Sequence, residues 1–245
     1  LHVTAFGLWE TFSEVAPRPA AAAGHSLGEY TALAASGALD FTDGLSLVAR
    51  RGRAMADAAT RSAGGMAALL GADDEVAELV SARRREEGGA LYLANSNAPG
   101  QVVVAGGVSD LDWLESNARD LGLRRVIRLD VGGAFHSPYM ADAADRLATA
   151  LADADFGDAS FAVFANADAA PIVDPRDALF RQLTAPVRFR ESVERMGASG
   201  SGTFVHIGPG DVTAGLARRS VPGADIHVVS SIDEAHRVAD MLSIQ

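Results

Sequence analysis

The 245-residue sequence contains no cysteine and no lysine. Without cysteine there are neither disulfides nor thiolate metal sites; this suits a reducing compartment, and a cytoplasmic location is expected. Without lysine, all 21 basic residues are arginines, set against 32 acidic ones for a formal net charge of -11. That balance argues against a nucleic-acid surface as the main partner. An acidic partner would have to meet a local arginine patch. No apolar run approaches the ~20 residues that span a bilayer, and no signal-peptide pattern is visible. No membrane partner is therefore expected. What is present is 48% hydrophobic residues, enough for one large domain or a domain carrying an insertion. The chain opens on Leu1, and "LHVTAFGLWETF" reads as the middle of an amphipathic helix, with Val3, Phe6, Leu8, Trp9 and Phe12 apolar. An upstream segment is expected.

The pattern divides the chain into three. From Ala20 to Arg53 it reads as a short strand, a turn and two helices. Tyr30, Leu33, Ala34, Gly37 and Ala38 share one face of the first helix, and Leu45, Val48, Ala49 and Met55 form the inner stripe of the second, with Asp40 or Thr42 as its cap. The strand rests on the turn that follows it, because "AAAA" at 20–23 favours helix. The middle segment alternates β-α-β-β-α-β, the split unit of ferredoxin-like modules. After it, strands "FAVFAN", "TFVHI" and "IHVVSS" alternate with helices, including helix over about 174–196 and a last one from about Glu234. The expected fold is α/β: a mostly parallel, hydrolase-like core over 1–63 and 132–245, and an inserted ferredoxin-like subdomain over 64–131.

Gly24-His25-Ser26-Leu27-Gly28 matches G-x-S-x-G, a sharp strand-to-helix turn that holds a serine hydroxyl above the sheet edge. Side chains at 24 and 28 are expected to collide there. Helix onset leaves free N–H groups, so the Leu27 N–H can donate to a developing oxyanion. The other reading of Ser26 is a plain helix cap. A nucleophilic serine needs a base, and six histidines compete. The His25 side chain should point away from the hydroxyl. His136, in "VGGAFHSPYM", falls in a loop between a strand and a helix, where catalytic groups concentrate. His206 and His227 lie within strands, and His2 and His236 read as surface residues. Arg51 borders a buried helix stripe; either its stem covers apolar surface, or its fork binds a substrate carboxylate.

In order along the chain stand "GHSLGEYTALAASGALDF", "LVARRGRAM", "SNAPGQVVVAGG", "AFHSP", "RQLTAPVRF" and "IGPGDV". Together they closely resemble the malonyl-CoA:acyl-carrier-protein transacylases, the acyltransferases of bacterial fatty acid and polyketide synthesis. The resemblance implies Ser26 as acyl-accepting nucleophile, His136 as general base and Arg51, 25 residues beyond the serine, as the grip on the malonyl carboxylate. It implies that the backbone carbonyl of Gln182 orients the histidine, so no triad carboxylate is needed. Leu27 and Phe135 resemble the malonyl-selective pattern, where methylmalonyl-selective relatives tend to carry Gln and Ser. The implied chemistry is ping-pong transfer from malonyl-CoA through Ser26 to the thiol of an acyl carrier protein, with no bound cofactor and no metal.

The carrier is expected to dock on arginines near the cleft, with Arg124, Arg125, Arg188 and Arg190 as candidates, and the protein is expected to be a monomer. In two respects the chain departs from the family. A G-Q-G segment, which supplies a second oxyanion donor, is absent from this sequence, and His206 stands where relatives commonly have Glu, a change expected to be structural. Two other functions compete. A serine esterase or thioesterase would take a downstream carboxylate and a late histidine, His206, His227 or His236. A non-catalytic paralogue would only bind a carrier.

Overall fold

The computed structural model describes residues 1–244. The chain opens with helix α1 (His2–Ser13), then strand β1 (Ala21–Ala23), helix α2 (Gly28–Ala35) and the long helix α3 (Phe41–Arg61). Asp40 caps α3 by accepting from the Thr42 and Asp43 N–H groups, which satisfies two of its free donors. The buried face of α3 is Gly44, Leu47, Arg51, Ala54, Met55 and Ala58. The expected stripe was misplaced: Leu45 is exposed, as is Ala49. Of the buried positions the stripe shares only Met55; Gly44 and Arg51 are not marked by apolarity, and Leu47, Ala54 and Ala58 lie on a face rotated from the one expected. Gly44 packs on His2, where an added Cβ would lie 3.0 Å from the ring. His2 is accordingly buried and bonded to Thr31, not a surface residue.

The next stretch runs β2 (Gly64–Leu70), α4 (Asp74–Glu86), β3 (Leu91–Ala98), β4 (Gln101–Gly107), α5 (Val108–Asn117) and β5 (Arg125–Arg128). Its strands lie in the order β5-β2-β4-β3, all neighbours antiparallel. The two helices cover one face, and Leu69, Leu91, Val104 and Leu114 fill the space between with essentially no exposure.

Beyond it come a short 3-10 turn (Pro138–Met140), α6 (Ala141–Asp153), β6 (Ala162–Phe164), α7 (Pro175–Gln182), β7 (Val187–Arg188), α8 (Phe189–Ala198), β8 (Thr203–Ile207), α9 (Val212–Ser220), β9 (Asp225–Val229) and α10 (Ile232–Ser243). The alanine-rich β1 is a strand after all, paired in parallel with β6 from Ala21↔Ala162 to Ala23↔Phe164. β8 and β9 form a second parallel pair. The expected parallel pairing of the core is present, but not as one continuous sheet. Among the described residues β1-β6 and β8-β9 form two separate parallel pairs, and the largest sheet is the five-stranded one, antiparallel but for one pairing.

β7, inside the stretch expected to be helical, extends that larger sheet by pairing in parallel with β3. The chain turns extended there because Pro186 cannot continue a helix and biases Ala185 away from helical geometry. This short strand ties the two halves of the molecule together just beyond Gln182.

Candidate active site

The site lies where β1 runs into α2. An added Cβ on Gly24 would sit 1.9 Å from the backbone C and O of Gly28, so only glycine fits there. At Gly28 a Cβ would meet nothing within 4 Å. The expected collision at Gly28 is thus absent; its role is to be the backbone that Gly24 packs against. Ser26 adopts φ 53, the left-handed region that a residue with a Cβ enters only at a cost. Its N–H donates to Asn166 Oδ1 at 2.7 Å, and Asn166 Nδ2 donates to the Gly24 carbonyl at 2.6 Å. The turn is held open from β6's end. Glu29 and Tyr30 N–H groups bond back to Ser26 and Leu27, whereas the Leu27 N–H has no acceptor among the described residues.

His136 enters from the loop before the 3-10 turn, also at positive φ (56). Ser137 anchors that loop by donating from Oγ to the Ala134 carbonyl at 2.6 Å. His136 Nε2 lies 2.7 Å from Ser26 Oγ, and Nδ1 lies 2.9 Å from the Gln182 carbonyl. A carbonyl can only accept, so Nδ1 carries the proton and Nε2 is left as the acceptor for the serine hydroxyl. Burial, reinforced by the Arg51 charge, pushes the imidazole pKa down to about 3. It is neutral at physiological pH.

Arg51 projects from the inner face of α3 and is 5% exposed. Its Nη2 donates to Ser26 Oγ at 2.8 Å and to Gln182 Oε1 at 3.1 Å, and the guanidinium packs on the Tyr30 ring. Burial lowers its pKa from the usual arginine value, yet a guanidinium starts high enough to stay charged. No carboxylate pairs with it within salt-bridge distance among the described residues, and its Nε has no partner there. A buried cation with spare donors is a receptor for an anion.

Two residues that the sequence reading did not single out, and the side chain of one that it did, complete this network. Asn166 stands at the end of β6, Glu29 in the first turn of α2, and the Gln182 side chain acts alongside its backbone carbonyl. Gln182 Nε2 donates to the Ser26 carbonyl at 3.0 Å and to Glu29 Oε2 at 2.8 Å. Burial raises the Glu29 carboxyl to about 7. The signals available were an acidic residue among buried apolar neighbours in "GEYTALAA" and an asparagine closing a strand.

The other histidines lie elsewhere. His25 turns away from the hydroxyl and meets Asn97 Oδ1 at 2.7 Å. His206 bonds Thr213, His227 pairs with Asp225, and His236 is exposed. None of these reaches Ser26, and no carboxylate accepts from His136 among the described residues, so the esterase arrangement has no counterpart here.

Two clefts flank the site. One, of about 480 Å³, is lined by Phe135, Met55 and the small residues Gly52, Ala56 and Ala59. The other, of about 340 Å³, reaches His136 between Thr184, Pro186 and Pro138 on one side and Glu78, Arg85 and Tyr92 on the other. Among the candidate docking arginines, Arg124 and Arg125 are exposed, while Arg188 and Arg190 are tied to Glu191 and Glu194. Among the described residues no helix is long and apolar enough to cross a membrane.

Known proteins show the same arrangement of chain. The acyl transferase domain profile matches residues 1–239. A malonyl CoA-acyl carrier protein transacylase of Bacillus subtilis is 40% identical over 222 residues, which is 89% of this chain and 70% of that one. An acyl carrier protein S-malonyltransferase of Vibrio cholerae superposes with a TM-score of 0.92 at 35% identity, covering 97% of this chain and 79% of its own. A malonyl-transacylase in complex with its type II polyketide-synthase acyl carrier protein superposes with a TM-score of 0.91 at 32% identity, with 98% and 79% covered.

Proposed function

The chain belongs to the acyl transferase domain family, and we propose that it moves a malonyl group from malonyl-CoA to the phosphopantetheine thiol of an acyl carrier protein, for fatty acid or polyketide synthesis. The observation that carries this reading is the double engagement of Ser26 Oγ, by a neutral imidazole at 2.7 Å and by a buried guanidinium without a carboxylate partner at 2.8 Å. A base beside the hydroxyl supports nucleophilic attack, and an unpaired cation beside it supports an acyl group that carries its own carboxylate.

Ser26 Oγ adds to the thioester carbonyl carbon as its proton passes to His136 Nε2. The oxyanion that forms is met by the Leu27 N–H, a donor with no competing acceptor. The C–S bond then breaks, and the imidazolium returns its proton to the departing CoA sulfur. The product is malonyl-Ser26, its carboxylate on Arg51. The carrier's thiol enters next, gives its proton to His136 and takes the acyl group by the same steps in reverse. Every proton transfer thus runs through His136, which takes a proton from Ser26 or the carrier's thiol and returns it to the CoA sulfur or to Ser26, and no bound cofactor takes part. The Gln182 carbonyl stabilises the imidazolium formed midway, the task that a triad carboxylate performs elsewhere. Leu27 and Phe135 border the acyl group and shape its selection.

The β5-β2-β4-β3 order supports a ferredoxin-like subdomain over 64–131, set into a hydrolase-like core formed by 1–63 and 132–245. The carrier's acidic surface meets arginines; of the candidates, Arg124 and Arg125 are exposed, at the β5 edge of the five-stranded sheet. The protein works as a cytoplasmic monomer.

Intact-mass spectrometry after mixing with malonyl-CoA or acetyl-CoA tests the reading. A malonyl adduct is expected on the wild type, none on Ser26→Ala, and only a weak adduct from acetyl-CoA. Arg51→Ala should erase that preference. A folded wild-type protein that takes no adduct would sink the transferase reading.

A further inference from the structure

The Glu29 side chain stands behind the site and hydrogen-bonds none of Ser26, His136 or Arg51. It is fully buried in the first turn of α2. Both of its bonds converge on one oxygen: Oε2 accepts from the Asn166 N–H at 2.9 Å and from Gln182 Nε2 at 2.8 Å. Those two neighbours hold the reacting groups. Asn166 fixes Ser26 and Gly24, while Gln182 receives His136 Nδ1 on its main-chain oxygen and Arg51 Nη2 on its side-chain oxygen.

A glutamine amide has two unlike ends, and its two orientations differ only in which neighbours find a donor and which an acceptor. Turned over, Gln182 would present its NH2 to the Arg51 guanidinium, donor against donor. An acceptor on the far side prevents this by drawing the NH2 towards itself. Glu29 Oε2, at 2.8 Å, is the nearer of two such acceptors, the other being the Ser26 carbonyl at 3.0 Å.

We propose that Glu29 is a positioning residue for malonyl transfer, whose Oε2 sets the orientation of the Gln182 amide and thereby aims the Arg51 guanidinium at the malonyl carboxylate. This rests on the transferase reading above. The opposite oxygen, Oε1, has no partner among the described residues. A proton there, which the raised carboxyl pKa favours near neutrality, leaves Oε2 an acceptor. So would an amide nitrogen in the same place. The device therefore depends on the oxygen and not on the charge.

Three variants, each checked for folding by thermal melting, separate this role from a plain structural one. Acylation rates with malonyl-CoA and acetyl-CoA are measured by rapid-quench mass spectrometry. Glu29→Ala should lower the malonyl-over-acetyl preference about tenfold, the scale set by leaving a buried hydrogen-bonding group without its partner. Glu29→Gln should recover most of that preference. A folded Glu29→Ala protein with the wild-type preference, or a Glu29→Gln protein as unselective as Glu29→Ala, overturns the proposal.

Where Glu29→Ala does not fold, Gln182→Met decides the matter. It keeps the main-chain carbonyl for His136 and removes the amide that joins Glu29 to Arg51 and to the Ser26 carbonyl. A lowered preference supports the role and an unchanged one overturns it. Wild-type protein that takes no malonyl adduct at all refutes the transferase reading instead, so the two failures are distinguishable.

Discussion

The antiparallel unit over 64–128 and the turn around Ser26 are built from the same chain on opposite terms. In the first, Leu69, Leu91, Val104 and Leu114 are buried against one another, and the positive φ angles fall only on glycines at turns, Gly71, Gly88, Gly100 and Gly122. In the second, Ser26 and His136 both take positive φ, and the Arg51 guanidinium is buried without a carboxylate partner among the described residues. One region is stabilised by packing. The other holds backbone strain and desolvated charge in place against their own cost, which is what a preorganised site requires. The short strand β7 lets the packed region brace the strained one, because it pairs with β3 five residues beyond Gln182.

The contrast breaks most sharply at Gly24. Gly24→Ala places a methyl 1.9 Å from the Gly28 backbone, so the turn must open. Acylation by malonyl-CoA should fall by more than about 100-fold and stability by at least ~2 kcal/mol, read by rapid quench and by thermal melting. Leu114→Ala should do the reverse. It removes a fully buried side chain and should cost about 2–5 kcal/mol in a denaturant titration, while the acylation rate per folded molecule stays at the wild-type value.

A smaller effect concerns pH. With its pKa pushed down to about 3 by burial and by Arg51, His136 stays neutral through mild acid, so its loss as a base should not lower the acylation rate between about pH 8 and pH 5. Stability behaves differently. The folded pKa lies below the unfolded one, so the contribution is present above the unfolded value of 6.5 and is lost as pH falls towards the folded value. Melting temperatures should drop more steeply with acid in the wild type than in His136→Gln. The smallest effect is expected at Gly28→Ala, whose methyl meets open space and which should leave the stability within about 1 kcal/mol by thermal melting.

Much of this was legible in the sequence, because it rests on local patterns. The β-α-β-β-α-β alternation, the glycine before a serine at a strand-to-helix turn, and the histidine before Ser-Pro each declare themselves within a few residues. The inner face of α3 was misread because apolar residues stand on both sides of it: Leu45 and Ala49 are exposed, while Leu47, Ala54 and Ala58 are buried beside Gly44 and Arg51. β7 escaped notice because two residues carry no period; only the edge of β3 makes them a strand.

By itself, then, the sequence determined most of the segments that become strands and helices and that one turn must contain glycine, since these follow from side-chain period and backbone sterics. Only the tertiary structure decided that Glu29, Asn166 and Gln182 form one buried network beneath Ser26. Their partners stand 137 and 153 residues from Glu29, and hydrogen bonds across such separations leave no periodic trace along the chain. They form because burial leaves each polar group no water to bond, so each must find the other.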